Sequence, residues 1–141
     1  MATLTLTDDQ LAEVWSEARA DLRRLLDAFP ATADELAATV AAGNINGMFY
    51  RDDAGRGCPV GTVARLAGVS PEAARDAARL PGMQLSAEGD GMLALAPGEV
   101  SSALEIFTID ILPGDTPATN PDSRRLLGWI EEWRAERRAA R

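Results

Sequence analysis

The sequence predicts a mainly α fold: a single compact domain, residues 1–141, of about six helices with a small β-hairpin. Apolar side chains recur at helical spacing in several separate stretches, the longest running from Leu11 to Phe29. Good N-cap residues precede these stretches, and glycine or proline closes them. The chain's 141 residues, 46% of them hydrophobic, are enough to fill one core without metal or disulfide support. Residues 1–7 and 134–141 can fray at either side of that core.

The first helix opens at Thr7, a good N-cap, with Asp8 and Asp9 in its first turn and Gln10 placed for a capping box. Leu11, Val14, Trp15, Ala18, Leu22, Leu25, Leu26 and Phe29 form one apolar stripe, and Pro30 ends it. A second helix spans about 32–42, with Leu36 and Val40 facing inward and Gly43-Asn44 as its stop. Ile45-Asn46-Gly47 reads as a turn, Met48-Phe49-Tyr50 as a brief strand, and 51–57 as a polar, glycine-rich loop. Asp52 and Asp53 are adjacent there, but the spaced oxygen ligands and closing glutamate of a calcium loop are missing. A solvated loop is the better reading.

Cys58-Pro59 opens a helix ended by Gly68, and Ser70-Pro71-Glu72 caps another running to about Leu80. Residues 83–95 read as the hairpin, with Glu88-Gly89-Asp90-Gly91 at its tip. A helix from Pro97-Gly98 to about Leu112 follows, carrying Val100, Leu104, Phe107 and Ile111 on one face. Pro113-Gly114-Asp115-Thr116-Pro117 is a rigid turn. Asn120-Pro121 caps the last helix, which buries Leu126, Leu127, Ile130 and Trp133 and ends in an arginine-bearing tail.

Absent residue types remove whole classes of chemistry. All 14 basic residues are arginine, and there is no histidine. A Schiff-base lysine, a phosphate-loop lysine and a histidine-activated nucleophile are therefore excluded. The single cysteine excludes an internal disulfide and fits a reducing, cytoplasmic setting. The sequence predicts no signal peptide and no membrane span, and calls for no cofactor and no metal. A net charge of −8 disfavours nucleic acid and anionic lipid as partners.

Two readings compete at the corner formed by 59–80. Val63-Ala64-Arg65-Leu66-Ala67-Gly68-Val69-Ser70 resembles the first helix and turn of helix-turn-helix repressors of the lactose-repressor and mercury-regulator type. That resemblance implies DNA contact through Arg75 and Arg79. However, the base-facing positions hold Glu72, Ala73, Arg75 and Asp76, and Ala74 and Ala77 stand where bulkier bracing residues occur. A corner that serves packing is preferred. Cys58 likewise has two readings. One is a thiol activated by the helix N-terminus and Arg56; the other, preferred, is a small apolar side chain tucked under the loop.

A wider resemblance runs through Ile45-Asn46-Gly47…Tyr50, Gly57-Cys58-Pro59-Val60-Gly61-Thr62-Val63-Ala64, Gly114-Asp115-Thr116-Pro117 and Trp129-Ile130-Glu131-Glu132-Trp133. Together these are similar to an uncharacterised family of small proteins from actinobacteria and their phages. Members often carry a Cys-Ala-Cys before the Val-Gly-Thr segment, where this chain keeps only Cys58. The resemblance implies a phage or prophage accessory protein and no particular activity.

The functional expectation is a non-enzymatic protein that binds another protein. Exposed loops and tips supply the candidate contacts: Arg51, Asp52, Asp53 and Arg56, Asp90 at the hairpin tip, and Arg134, Arg137 and Arg138 near the C-terminus. A homodimer is compatible with the sequence, although no heptad repeat specifies one. DNA binding through Arg75 and Arg79 is the alternative, and a thiol enzyme or redox sensor at Cys58 the third reading.

Overall fold

The computed structural model describes residues 8–47, 57–83 and 101–140, and within them the fold is mainly helical. The Thr7 cap, the Met48-Phe49-Tyr50 strand and most of the 51–57 loop lie outside the described residues. Helix α1 (Asp8–Ala28) is the axis of the molecule. Its stripe buries Val14, Ala18, Leu22, Leu25 and Leu26, with Trp15 and Phe29 packed partly buried at the edges. Each fully buried leucine contributes roughly 1.5–3 kcal/mol of transfer free energy, which is why a stripe this regular organises the core. Pro30 has no amide to continue the helical ladder. The chain turns through a short 3₁₀ segment, Pro30–Thr32, into α2 (Ala33–Ala41), which buries Leu36, Ala37 and Val40.

Helix α3 (Pro59–Ala67) and helix α4 (Pro71–Ala78) form the expected corner. Gly68 adopts φ +72° and hands its amide to the carbonyls of Ala64 and Arg65; no atom crowds its missing side chain, so backbone freedom is what this position requires. Ser70 Oγ then caps α4 by accepting the Ala73 amide at 3.1 Å. Ala74 and Ala78 are buried, whereas Ala77, read as a bracing position, is exposed. With only alanines at its fully buried positions, α4 lies close on α1, and α3 packs on α4 and α5.

The helix expected from Pro97-Gly98 begins later. Ser101 and Ser102 are extended and pair antiparallel with Gly82-Met83, and α5 is the short run Ala103–Phe107. Capping chemistry overrides the apolar period here. Ser102 Oγ accepts the Glu105 amide while Glu105 Oε1 accepts the Ser102 amide, a reciprocal box that sets the first turn at Ala103. The hairpin expected over 83–95 is not supported: residues 84–100 lie outside the described residues, and Met83 pairs with Ser101.

After a 3₁₀ turn (Thr108–Asp110), the strap before α6 (Pro121–Ala139) is organised by side chains. Asp115 Oδ2 accepts the Leu112 amide and the Asn120 Nδ2, both at 2.9 Å, and these bonds hold its carboxyl below the usual range. Asn120 Oδ1 accepts the amides of Asp122 and Ser123, starting α6. The Gly114-Asp115-Thr116-Pro117 block is thus turn and cap chemistry.

Helix α6 runs parallel to α1, because their contacts keep step along both: Trp15 lies under Arg125, Arg19 pairs with Glu132 and Arg23 with Glu136. Both C-termini consequently reach one end of the molecule, where α2 starts and packs against α6. No helix among the described residues is long and apolar enough to cross a membrane.

Candidate functional site

That shared end carries a groove of about 410 Å³, lined among others by Pro30, Asp34, Trp133, Arg134, Arg137 and Arg138. The sequence elements behind it are simple. Pro30 ends α1 and swings α2 outward, while the 3.6-residue period of α6 sets Arg134, Arg137 and Arg138 on one side, three and four residues apart. Trp133 is 4% exposed, donates its indole N–H to Asp27 Oδ1 at 2.9 Å, and so has a fixed ring. Arg137 lies over that ring, 4.9 Å from its centroid, in cation–π contact. Arg134 is held from two sides: Nε lies 3.0 Å from Asp34 Oδ1, and Nη1 lies 2.7 Å from Glu131 Oε1. Arg137 and Arg138 form no ion pair among the described residues. The groove therefore presents three guanidinium groups beside a largely buried Trp133, one held by acids and two open to an anion.

A second polar cluster lies inside, where α1, α3, α4 and α5 meet. Asp21 is 1% exposed; its Oδ2 accepts the Leu104 amide at 3.2 Å and its Oδ1 accepts from Arg24 at 2.8 Å. Burial raises its pKa above 3.8 and outweighs the two hydrogen bonds and the Arg24 charge, which act the other way. Glu105 is also buried; its Oε1 accepts from the Ser102 hydroxyl at 2.9 Å and stands 3.5 Å from Arg75 Nε. Cys58 sits at the start of α3 with Sγ accepting the Gly61 amide at 3.4 Å. Its thiol is buried and its pKa is pushed up to about 12, chiefly by desolvation, with the Glu105 charge adding to the effect. The N-terminal amides of α3 favour a thiolate, as the helix position suggests, but they do not offset that burial.

The sequence-derived candidates separate into three sets. Arg134, Arg137 and Arg138 are brought together in the groove. Arg51, Asp52, Asp53, Arg56 and Asp90 lie outside the described residues. Arg75 and Arg79 lie on α4 and at its end. Arg75 is turned toward Glu105, while Arg79, exposed, takes the left-handed conformation (φ 55°) that closes the helix. A hollow of about 280 Å³ beside α4 is lined by Glu72, Arg75, Asp76 and Ser102 among others, so acids flank its one guanidinium. No group of three potential metal ligands occurs among the described residues.

Asp34, which lines the groove, and Asp27, which anchors the Trp133 indole behind it, are not among the residues the sequence singles out. Nothing local marks them, since their partners lie about a hundred residues away. Asp21 does carry a signal: it falls on the α1 stripe, three residues after Ala18 and four before Leu25, where an acid needs a buried donor. No family model, no curated protein and no solved structure matches this chain.

Proposed function

We propose that this chain is a non-enzymatic protein that acts by binding another protein, and that the groove between the start of α2 and the end of α6 is its contact surface. The observation that carries this reading is that Arg134, Arg137 and Arg138 line one groove, with Arg137 lying over the Trp133 ring. Aromatic and arginine side chains anchor protein interfaces because they combine large contact area with directional hydrogen bonds. Here Asp27 fixes the Trp133 ring and Glu131 orients Arg134, so those two side chains have little entropy left to lose on binding.

The helix-turn-helix alternative has weaker support. The exposed side of α4 carries Glu72 and Asp76, which repel phosphates, and Arg75 is committed to Glu105. The phage or prophage setting and a cytoplasmic location are part of the proposal and rest on the sequence motifs and composition alone.

The test is affinity capture with the chain as bait, followed by identification of what is retained. A protein bound by the wild type and lost on combined Arg137→Glu and Arg138→Glu substitution is the expected result. A captured set unchanged by those substitutions, or turnover found in a substrate screen, would refute the proposal.

A further inference from the structure

We infer that the groove takes an acidic segment of its partner and that Asp34 is an internal stand-in for one of that segment's carboxylates. This rests on the reading of the groove as the contact surface. Arg134 is gripped on two edges that are not equivalent. Asp34 lines the groove; Glu131, which holds the other edge, is absent from the groove lining and belongs to the same helix as the arginine. Asp34 is also 84% exposed and touches Arg134 through a single oxygen at 3.0 Å. A pair of that kind is held weakly, because water solvates both charges when they part. Once released, the Asp34 carboxylate still sits in the first turn of α2, where the helix dipole favours a negative charge. An incoming carboxylate that replaces it inherits a guanidinium already oriented by Glu131.

Arg137 and Arg138 extend the same surface. They stand three and four residues beyond Arg134, placing the positive groups about 5–6 Å apart at their stems. An extended peptide with carboxylates at alternate positions, which share a face about 6–7 Å apart, comes near that spacing. An acidic peptide fits better than a nucleic-acid strand. Asp34 lines the groove and the whole chain carries −8, so a continuous phosphate backbone is repelled beyond the three arginines.

The full chain titrated into a fluorescein-labelled hexaglutamate peptide, read by fluorescence anisotropy at low ionic strength, tests this directly. Asp34→Asn should bind the probe about two- to fivefold more tightly than wild type, the range a surface ion pair sustains. Glu131→Gln removes the same charge from the same arginine but does not open the groove, and its gain should stay below about twofold. Asp34→Asn and Glu131→Gln alter exposed or half-exposed side chains, and thermal melts verify that both fold. If Asp34→Asn gains no more than Glu131→Gln, the stand-in idea fails, while loss of binding on Arg137→Glu with Arg138→Glu would leave the groove reading intact. If no variant binds the peptide, the acidic-segment inference falls, and the capture experiment decides the groove reading separately. Displacement of the probe by a short single-stranded oligonucleotide more readily than by unlabelled peptide would also overturn the inference.

Discussion

Asp21→Ala removes a carboxylate that belongs to α1 in sequence and to α5 in hydrogen bonding. In the wild-type chain, Oδ2 accepts the Leu104 amide, one of the first amides of α5, which no carbonyl of that short helix can reach. Leu104 is fully buried, so no water replaces the lost acceptor. An orphaned buried amide costs about 1–3 kcal/mol. The Arg24 pair is partly exposed on the arginine side and adds at most about 1 kcal/mol. Relief from holding a buried charge acts in the opposite direction, which leaves a net loss of about 1–3 kcal/mol. For a chain of this length each kcal/mol corresponds to roughly 3–4 °C of Tm, so thermal unfolding should occur about 3–12 °C lower.

Asp21→Asn separates the charge from the hydrogen bond through pH. Burial raises the folded-state pKa of Asp21 above its unfolded value of 3.8. The folded chain therefore holds that proton more tightly, and the stabilisation is complete below 3.8 and lost as pH rises through the folded value. Relative to Asp21→Asn, which does not titrate, the wild type should become less stable across that window and then level off. Denaturant midpoints measured for both chains from acid to neutral pH supply the comparison. A difference that moves in the wild type's favour as pH rises would show that the Arg24 charge and the Leu104 amide outweigh burial, and would refute the reasoning.

Two further outcomes follow from the structure. Cys58, with its pKa pushed up to about 12, should react with iodoacetamide at pH 8 about a thousandfold more slowly in the folded chain than in the chain unfolded by guanidinium, and stability should fall as pH rises from 9 toward 12; native labelling within tenfold of the unfolded rate would contradict its burial. At Gly47 a Cβ would stand 2.5 Å from the Thr108 carbonyl oxygen and 2.6 Å from Ile109 Cα, both backbone atoms. Gly47→Ala must therefore displace the strand-like contact in which the Gly47 amide donates to Ile111 at 2.9 Å. A loss of about 2–4 kcal/mol is expected from overpacking and the broken bond, read as a lower denaturant midpoint at constant slope; a change under about 0.5 kcal/mol would mean that the turn is free to move.

What the sequence makes legible here is whatever is encoded within one turn of helix. The α1 stripe, the Pro30 stop, the Gly68 closure and the Ser70 and Asn120 caps all appear in the structure because each depends on neighbours a few residues away. The α5 boundary shows two local rules in conflict: Leu104 and Phe107 keep a helical period that reads backward through Ser101 and Ser102, yet the Ser102–Glu105 box sets the start at Ala103. Gly47 reads as a turn residue, although its real constraint is the Thr108–Ile109 backbone sixty residues later. The groove divides in the same way. Its arginines stand out as a charged tail, but Pro30 and Asp34, which turn that tail into a surface, become its neighbours only because α1 and α6 run parallel.

The placement of the arginines argues further for that end of the molecule. In an acidic chain, most positive groups find internal partners. Arg19 and Arg23 bridge to α6, Arg24 pairs with Asp21, Arg75 faces Glu105, Arg125 pairs with Asp122 over Trp15, and Arg124 donates to the Pro117 carbonyl. Among the described residues, Arg65, Arg79, Arg124, Arg137 and Arg138 are left without an acid, and of these Arg124 has the Pro117 carbonyl. Arg65 and Arg79 stand singly near the ends of α3 and α4, where a cation complements the helix dipole and solvent completes the solvation. Arg137 and Arg138 are adjacent, share a groove with Arg134, and one of them is braced on an aromatic ring. Two like charges side by side repel each other, even though both lie in the last turn of α6, where the helix dipole favours a cation. An external anion, the kind of occupant proposed above for the groove, would relieve that repulsion.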